Sequence, residues 1–258
     1  MNIEERLSAA VRHYWETRLS QKKNQGRTTG VQDYGARADV TGGKHMDGFA
    51  SLICDLVVES GIGVEFIRNG IKSDLPGYFR PAKDWDLVVV ADQNLLALLE
   101  LKSQAGPSYG NNCNNRVEEA LGNATDLWTA FREKTFGQSK TPWAGYLMLL
   151  ETSAGSTSPV RVAEPNFKIR PEFRHETYDT TRKSVSYAKR YELFCRKLVL
   201  ERLYQSACFI MSDRESGLLG KYTEPAADLR FNDFIASLIG KMTEYTKAKE
   251  LDEGTRDK

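Results

Sequence analysis

The stretch DWDLVVVADQNLLALLELK, residues 84–102, constrains the fold more than any other part of the chain. It holds two apolar runs around a polar centre, a pattern typical of two buried β-strands joined by a turn. Buried strands seldom carry charge, because removing a charge from water is costly. Even so, Asp84, Asp86, Glu100 and Lys102 lie at the open end of this hairpin. The segment therefore predicts a sheet with a charged site at one edge.

A turn centred on Gln93 makes residues at equal distances from it face each other across the two strands. This register places Asp86 opposite Glu100 and Asp84 opposite Lys102. Because side chains alternate between the two faces of a strand, one face should be charged only at its open end. The residues predicted for that face are Asp84, Asp86, Val88, Val90, Leu96, Leu98, Glu100 and Lys102.

The neighbouring carboxylates of Asp86 and Glu100 predict a cation site, since they repel each other unless a cation or a shared proton joins them. Mg²⁺ binds carboxylates, backbone carbonyls and water, and the carbonyl of Leu101 lies between Glu100 and Lys102. A cation here would activate water and stabilise a leaving oxygen, while Lys102 would orient or help deprotonate that water, so the natural chemistry is phosphate-ester hydrolysis. The spacing alone also fits an exposed hairpin end whose acids are solvated.

Helical and strand patterns alternate along the rest of the chain. They predict helices at residues 3–19, 46–62, 116–134, 184–204 and 231–249, strands at 64–70, 144–151 and 207–212, and a long loop at 20–45. This order favours one α/β domain with a mixed central sheet flanked by helices. Within residues 1–258 we expect a helix and basic loop up to about residue 45, a catalytic core at about 46–215 and a C-terminal helix at about 226–250.

Composition excludes some classes of protein and leaves nucleic-acid binding open. The net charge is +1, but residues 161–204 hold 11 basic against 6 acidic residues, and residues 18–44 hold 6 against 2. Such segments face phosphates or are simply solvated. The amphipathic N-terminus and the absence of a long apolar run predict a cytoplasmic protein without a membrane partner. Four widely spaced cysteines predict reduced thiols rather than a zinc site or disulfides.

The hairpin resembles the PD-(D/E)xK nuclease signature, with Asp86 as the isolated acid and ELK as its second half. The segments around it, GGKHMDGF, LPGYFRPAKDWD, ELKSQAGPSYGNNCNNRVEEALGNATDL and RYELFCRKLVL, are similar in collinear order to the XhoI family of type II restriction endonucleases. The resemblance covers residues 42–200. Trp85 replaces the usual Pro before the first acid, and Asp84 adds an acid that the family pattern lacks, whereas Asp86 matches the family's WD.

The resemblance implies a restriction-endonuclease-like core and a homodimer that cuts both strands of double-stranded DNA at the palindrome CTCGAG. The cut follows the first C, requires Mg²⁺ and leaves a 5′ overhang that carries a 5′-phosphate. Asp86 and Glu100 take the positions of the metal-binding acids, and Lys102 takes that of the lysine. A companion DNA methyltransferase is expected to act on the same site.

A polar segment directly after the ELK strand is the first candidate for reading bases. Its candidate residues are Asn111, Asn112, Asn114, Asn115 and Arg116. Asn pairs bidentately with adenine and Arg with guanine, and a helix N-terminus attracts phosphate. The same residue types also form turns and helix caps. Their position after the catalytic strand, together with the resemblance, favours contact with DNA.

Other charged residues flank the predicted site. Lys44, Arg80 and Lys83 are candidates for phosphate contacts, although solvated surface positions are the default interpretation. Asp47 either caps a helix or adds a carboxylate to the metal site. Two functions compete with restriction: that of a repair or junction nuclease of the same superfamily, and that of a DNA-binding module whose acidic hairpin is catalytically silent.

Overall fold

The computed structural model describes residues 2–29, 44–70, 72–164, 166–177 and 183–256. The helices in this part of the chain are α1 Ile3–Thr29, α2 Asp47–Glu59, α3 Tyr109–Arg132, α4 Ala154–Thr157, α5 Tyr187–Leu200, α6 Arg214–Gly217 and α7 Phe231–Arg256. The strands are β1 Ile67–Asn69, β2 Asp74–Leu75, β3 Lys83–Asp84, β4 Leu87–Ala91, β5 Asn94–Gln104, β6 Trp143–Glu151, β7 Val160–Arg161, β8 Lys183–Ser184 and β9 Ser206–Ser212. None of these helices is long and apolar enough to cross a bilayer.

The central sheet has the order β1-β4-β5-β6-β9 within the described residues. Strands β1, β4 and β5 are antiparallel, whereas β5, β6 and β9 run parallel. Parallel neighbours need a crossover, and α3 connects β5 to β6 while α5 lies between β6 and β9 in the chain. The predicted mixed α/β fold is therefore confirmed, and β5 lies at its centre.

Helices cover both faces of the sheet. Residues of α1, α2 and α7 form one core with Leu99 and Leu101 of β5, and residues of α3 and α5 form the other core with Leu98. Strand β6 is buried along its whole length, as its unbroken apolar run predicts for a strand covered on both sides. The side chains of β5 therefore alternate between two helical layers, and Glu100 points to the layer of α3 and α5.

The hairpin confirms most of the predicted register but contains a bulge. Asp92 and Gln93 have φ angles of 48° and 62°, as a tight two-residue hairpin turn requires. Leu87 pairs with Leu99 as predicted, but the register shifts between Val89 and Val90. The shift leaves Leu96 without a partner and moves it to the face of α1 and α2. The prediction that placed Leu96 on the charged face is wrong, because one extra residue reverses the alternation.

The predicted pairing of Asp84 with Lys102 is also wrong. Asp84 belongs to β3, which leaves the central sheet and pairs with β2, where Asp84 faces Asp74. The hydroxyl of Ser73 donates a hydrogen bond of 2.6 Å to the Asp84 carboxylate. Of the two aspartates, Asp86, which immediately precedes β4, is the one that remains beside β5.

Several helix boundaries differ from the predicted ones, and α7, for example, ends at Arg256 rather than at residue 249. Helix α1 continues to Thr29, so it replaces the first part of the predicted loop, and residues 30–43 of that loop lie outside the described part of the chain. Helix α3 begins at Tyr109, seven residues earlier than predicted, because the Asn-rich segment is helical rather than a turn. Helix α5 begins after Ser186, whose side chain accepts the Lys189 N–H as an N-cap. The division into a terminal helix, a core and a C-terminal helix stays a prediction.

Candidate active site

Glu100 and Lys102 lie on the central strand β5, on the face covered by α3 and α5. Glu100 is 1 % exposed, although it is a charged residue. Its neighbours along the strand, Leu99 and Leu101, are buried in the opposite layer. The alternation of a sheet strand thus brings one acid and one lysine onto the same face, two residues apart. A buried carboxylate of this kind requires charged or hydrogen-bonding partners.

Asp86 lies next to these residues because of a hydrogen bond to the strand backbone. The N–H of Leu101 donates to Asp86 Oδ2 at 2.7 Å. In a strand, the N–H and the carbonyl of one residue point to the same side. The Leu101 carbonyl is therefore directed toward the edge where Asp86 lies. The ladder itself begins at Leu87, which faces Leu99, so the pairing of Asp86 with Glu100 stays a prediction, although the charge of Glu100 acts on Asp86.

Two lysines, rather than one, surround Glu100. Lys102 Nζ lies 2.5 Å from Glu100 Oε1, and Lys83 Nζ lies 3.2 Å from Glu100 Oε2. Lys83 extends from β3 and also lies over the ring of Trp85, 4.8 Å from its centroid. From the sequence, Lys83 was predicted to contact phosphate or to be a solvated surface lysine, and not to pair with Glu100. The sequence position of Lys83, three residues before Asp86, does not predict its ion pair with Glu100. That ion pair forms because β3, paired with β2, directs Lys83 toward the central sheet.

The charges of this cluster shift two pKa values. Burial, followed by repulsion from Glu100, raises the pKa of Asp86 above its ordinary value. Burial would lower the pKa of Lys102, but the carboxylates of Glu100 and Asp86 outweigh it and raise that pKa. Without a bound cation, the ionised form of Asp86 is therefore disfavoured. This is expected of a carboxylate that binds a metal ion, because the cation would compensate its negative charge.

The cluster fits a hard divalent cation that completes its coordination with water. Glu100 Oε2 is buried and accepts no hydrogen bond from the described residues, because the Lys83 contact is an ion pair without hydrogen-bond geometry. Across those residues, no group of three His, Cys, Asp or Glu side chains could hold a metal. Two carboxylates and one backbone carbonyl leave several positions to water, which is the coordination that Mg²⁺ tolerates and structural zinc does not.

Asp47 does not join the cluster in the described part of the chain. It is exposed in the first turn of α2, where the positive end of the helix favours an acid. It is not the N-cap, since Met46 holds that position and makes no side-chain capping bond. Nearby Lys44 is exposed at the start of a short 3₁₀ helix, and its carbonyl lies 3.3 Å from His13 Nε2.

The Asn-rich segment forms the first two turns of α3. Asn111, Asn114 and Asn115 are exposed at helical spacing on one face, while Asn112 is half-buried. Arg116 is also half-buried, and its Nη1 lies 2.5 Å from Glu119 Oε2. The charge of Arg116 also acts on Lys102, so this helix start lies beside the carboxylate cluster. The structure thus places Arg116, one of the candidate base-reading residues, close to the candidate catalytic Lys102.

Arg80 is held by α3 rather than free at the surface. Its Nε lies 2.8 Å from Asp126 Oδ2, and its Nη2 donates to Asn123 Oδ1 at 2.7 Å. Asp126 and Asn123 are 4 % and 6 % exposed, and sequence reasoning missed both. Their signal in the sequence is weak, because polar residues inside a helix usually face solvent.

A mixed sheet whose central strand carries Glu100 and Lys102, with Asp86 beside it, defines the restriction-endonuclease-like class of nucleases. The sequence model of the restriction endonuclease XhoI family matches residues 24–224. The chain therefore belongs to the XhoI family of restriction endonucleases, which makes it a site-specific deoxyribonuclease with DNA as its substrate. Enzymes of this type typically use a divalent metal ion.

Several characterised relatives agree with this assignment. The chain is 54 % identical over 213 residues to the type II restriction enzyme BstVI of Geobacillus stearothermophilus, covering 81 % of this chain and 91 % of that one. It is 41 % identical over 194 residues to the type II restriction enzyme XhoI of Xanthomonas vasicola, covering 74 % and 73 %. It is 42 % identical over 191 residues to AbrI of Azospirillum brasilense, covering 73 % and 85 %. No solved structure matches the chain.

Proposed function

We propose that this restriction endonuclease is a homodimer that cuts both strands of CTCGAG after the first C, with Mg²⁺ as its cofactor. The products carry a 5′ overhang and a 5′-phosphate. The resemblance of residues 42–200 to the XhoI family supports the choice of site. One structural observation supports the choice of chemistry: the carboxylates of Asp86 and Glu100 lie beside Lys102 on the central strand.

In the proposed mechanism, Asp86, Glu100 and the carbonyl of Leu101 hold the cation. When bound, Mg²⁺ lowers the pKa of a coordinated water and neutralises charge on the scissile phosphate. Lys102 Nζ, which is bonded to Glu100 Oε1, would donate to this water and hold it in line with the scissile bond. As the water oxygen bonds to phosphorus and its proton passes to solvent, the bond from phosphorus to the 3′ oxygen breaks, and that oxygen takes a proton from solvent, which leaves a 5′-phosphate and a 3′-hydroxyl. Lys83 balances the second oxygen of Glu100 and donates to a phosphate oxygen once DNA is present.

The exposed face of α3 is the proposed reader of the half-site. Asn111, Asn114 and Asn115 are exposed at the start of α3, the helix that follows β5 in the chain, which suits contacts to purine edges in the major groove. A palindrome presents the same half-site twice, so a twofold dimer repeats one set of contacts. A companion methyltransferase that modifies CTCGAG would protect the host genome from the enzyme.

The test is digestion of a plasmid that contains a single CTCGAG, compared with plasmids in which one base of that site is changed. Mg²⁺ should give one linear product with ends after the first C, and EDTA or Ca²⁺ should give none. The variant Glu100→Gln should not cut, because it removes one anionic ligand. The variant Glu133→Gln, at the exposed C-terminal end of α3, should cut normally.

Each alternative outcome has a distinct meaning. Discrete fragments produced by cutting at a different sequence would show that the recognition site is not CTCGAG, while the enzyme would still be a restriction endonuclease. Random or structure-specific nicking would indicate a repair nuclease, and binding without cutting would indicate a DNA-binding module. Normal cutting by Glu100→Gln would refute the assignment of the site.

A further inference from the structure

Two large aromatic side chains are exposed at the tip of the loop between β2 and β3. Tyr78 is 52 % exposed and Phe79 is 70 % exposed. Their ring centroids lie 4.9 Å apart with the rings nearly perpendicular, so each ring shields only an edge of the other. A single exposed apolar residue is ordinary, but two adjacent aromatic rings form a continuous apolar surface.

The backbone under these rings is rigidly held. Asp126 Oδ1 accepts the N–H of Tyr78 at 2.8 Å and the N–H of Phe79 at 2.7 Å, while Oδ2 binds Arg80 at 2.8 Å. A side chain at Gly77 would overlap the Asp126 carboxylate, so only glycine allows the loop to approach α3 this closely. One buried acid thus fixes three consecutive residues and leaves two of their side chains, the aromatic ones, largely in solvent.

This aromatic tip, residues 78 and 79, lies close to the carboxylate cluster. Lys83 is four residues after Phe79, so their Cα atoms are at most about 14 Å apart. Lys83 Nζ in turn lies 3.2 Å from Glu100 Oε2. The charges of Glu100, Arg80 and Asp86 also act on the buried phenol of Tyr204, whose pKa is raised mainly by burial. The loop and the cluster therefore surround the same part of the core.

A duplex bound at Glu100 for cleavage must pass near this tip, and this step rests on the proposed function. A duplex keeps the faces of its bases stacked, so it offers aromatic side chains the apolar parts of its sugars, and contacts with the sugar–phosphate backbone do not depend directly on base sequence. The charges of Arg80 and Lys83 beside the tip are paired with Asp126 and Glu100, so DNA is favoured here because the tip lies close to the carboxylate cluster at which the duplex must bind. A backbone that is fixed before binding also loses little entropy on contact.

We propose that Tyr78 and Phe79 form an apolar wedge that packs against the DNA beside the scissile phosphate and positions the duplex over Asp86 and Glu100. The wedge contributes to affinity and to cleavage rate without reading bases. Because the contact is uncharged, it displaces no counterions from the DNA. Asp126 is a positioning residue, since it holds the wedge and does not touch the DNA.

The experiment measures binding of a fluorescent CTCGAG duplex in Ca²⁺ over a range of salt concentrations, and single-turnover cleavage in Mg²⁺. The variants Tyr78→Ala and Phe79→Ala should each weaken binding by about 5- to 10-fold, as expected for partial burial of one aromatic ring. The slope of log affinity against log salt should stay the same as in the wild type. The ratio of affinities for CTCGAG and its one-base variants should also stay the same.

Matched variants keep the result interpretable. Phe79→Leu should retain part of the affinity, because it keeps apolar area. Leu219→Ala, a residue that is 67 % exposed in the segment after α6, should bind and cut within twofold of the wild type. Asp126→Asn keeps both aromatic side chains but weakens the hydrogen bonds that hold the backbone of residues 78 and 79. It should therefore reproduce part of the loss of DNA affinity. Circular dichroism of each variant separates loss of contact from loss of folding.

Three results would overturn the wedge. The first is wild-type affinity and cleavage rate in Phe79→Ala. The second is a salt slope reduced by about one, which would indicate a lost phosphate contact instead. The third is dissociation of the dimer in sedimentation, which would make the tip a contact between protomers. A wild-type enzyme that does not cut CTCGAG refutes the proposed site, whereas normal wild-type cutting with unaffected wedge variants refutes only the wedge.

Discussion

Replacing Asp126 with alanine should destabilise the protein by about 3 kcal/mol. The carboxylate accepts two backbone N–H bonds, at 2.8 Å and 2.7 Å, and bonds to a charged acceptor contribute about 1.5–3 kcal/mol each. Both N–H donors belong to exposed residues, so water can bind to them in the variant. We therefore use the lower end of the range for the contribution of each hydrogen bond. The Arg80 side chain is 38 % exposed, and its ion pair adds at most about 1 kcal/mol.

The same group should make part of the stability depend on pH. Burial alone would raise the pKa of Asp126, but the two N–H donors and the Arg80 guanidinium outweigh burial and hold that pKa below its ordinary value. A depressed carboxyl pKa stabilises the folded state above the unfolded value of about 3.9, and this stabilisation disappears as pH falls through the folded value. The difference between the wild type and Asp126→Asn should therefore be constant from about pH 7 to 5 and shrink below about pH 4.

Urea denaturation followed by far-ultraviolet circular dichroism measures both effects. Asp126→Asn, which keeps an acceptor oxygen but loses the charge, should lose about half as much stability as the alanine variant, since neutral bonds contribute about 0.5–1.5 kcal/mol. Asp228→Ala is the matched control, because Asp228 also pairs with an arginine, Arg196, but at the surface. It should cost no more than about 1 kcal/mol. A loss below about 1 kcal/mol in Asp126→Ala, or a loss that does not change below pH 4, would refute the reasoning.

Asp86→Asn should abolish cleavage in Mg²⁺ and leave binding to CTCGAG in Ca²⁺ measurable. Asp84→Asn should still cut, because the Asp84 carboxylate accepts a hydrogen bond from the Ser73 hydroxyl, next to β2; the reverse pair of results would show that Asp84 rather than Asp86 is the metal-binding aspartate. Lys102→Ala should lower the single-turnover cleavage rate about 100-fold or more with little effect on affinity, and equal losses in rate and affinity would make it a phosphate anchor. Lys83→Ala should weaken binding to all sequences alike and reduce the salt slope by about one. Alanine scanning of residues 111–116 should include at least one variant that loses about 1–3 kcal/mol of discrimination against a one-base neighbour of CTCGAG, and full discrimination throughout would move base reading to another segment.

The sequence alone determined the features that depend on local pattern. Alternation along the hairpin indicated a sheet, and the same alternation placed Glu100 and Lys102 on one face with Leu98. The choice of Asp86 as the partner acid extends the Leu87–Leu99 register by one residue and stays a prediction. The quoted motifs resembled the XhoI family, and the family match confirmed it. The sheet, the shared face of Glu100 and Lys102 and the family were predicted correctly, because side chains on a strand repeat every two residues and because short motifs keep their spacing.

The tertiary structure decided which distant segments meet. The bulge that turns Leu96 away, the departure of Asp84 into the β2–β3 pair and the approach of Lys83 to Glu100 have no signal within a few residues of sequence. The same holds for Asp126, which reaches across 47 residues to hold Phe79. A buried charge is stable only where the fold brings it partners. Which residues become those partners depends on the packing of the whole chain, and local periodicity contains no information about that packing.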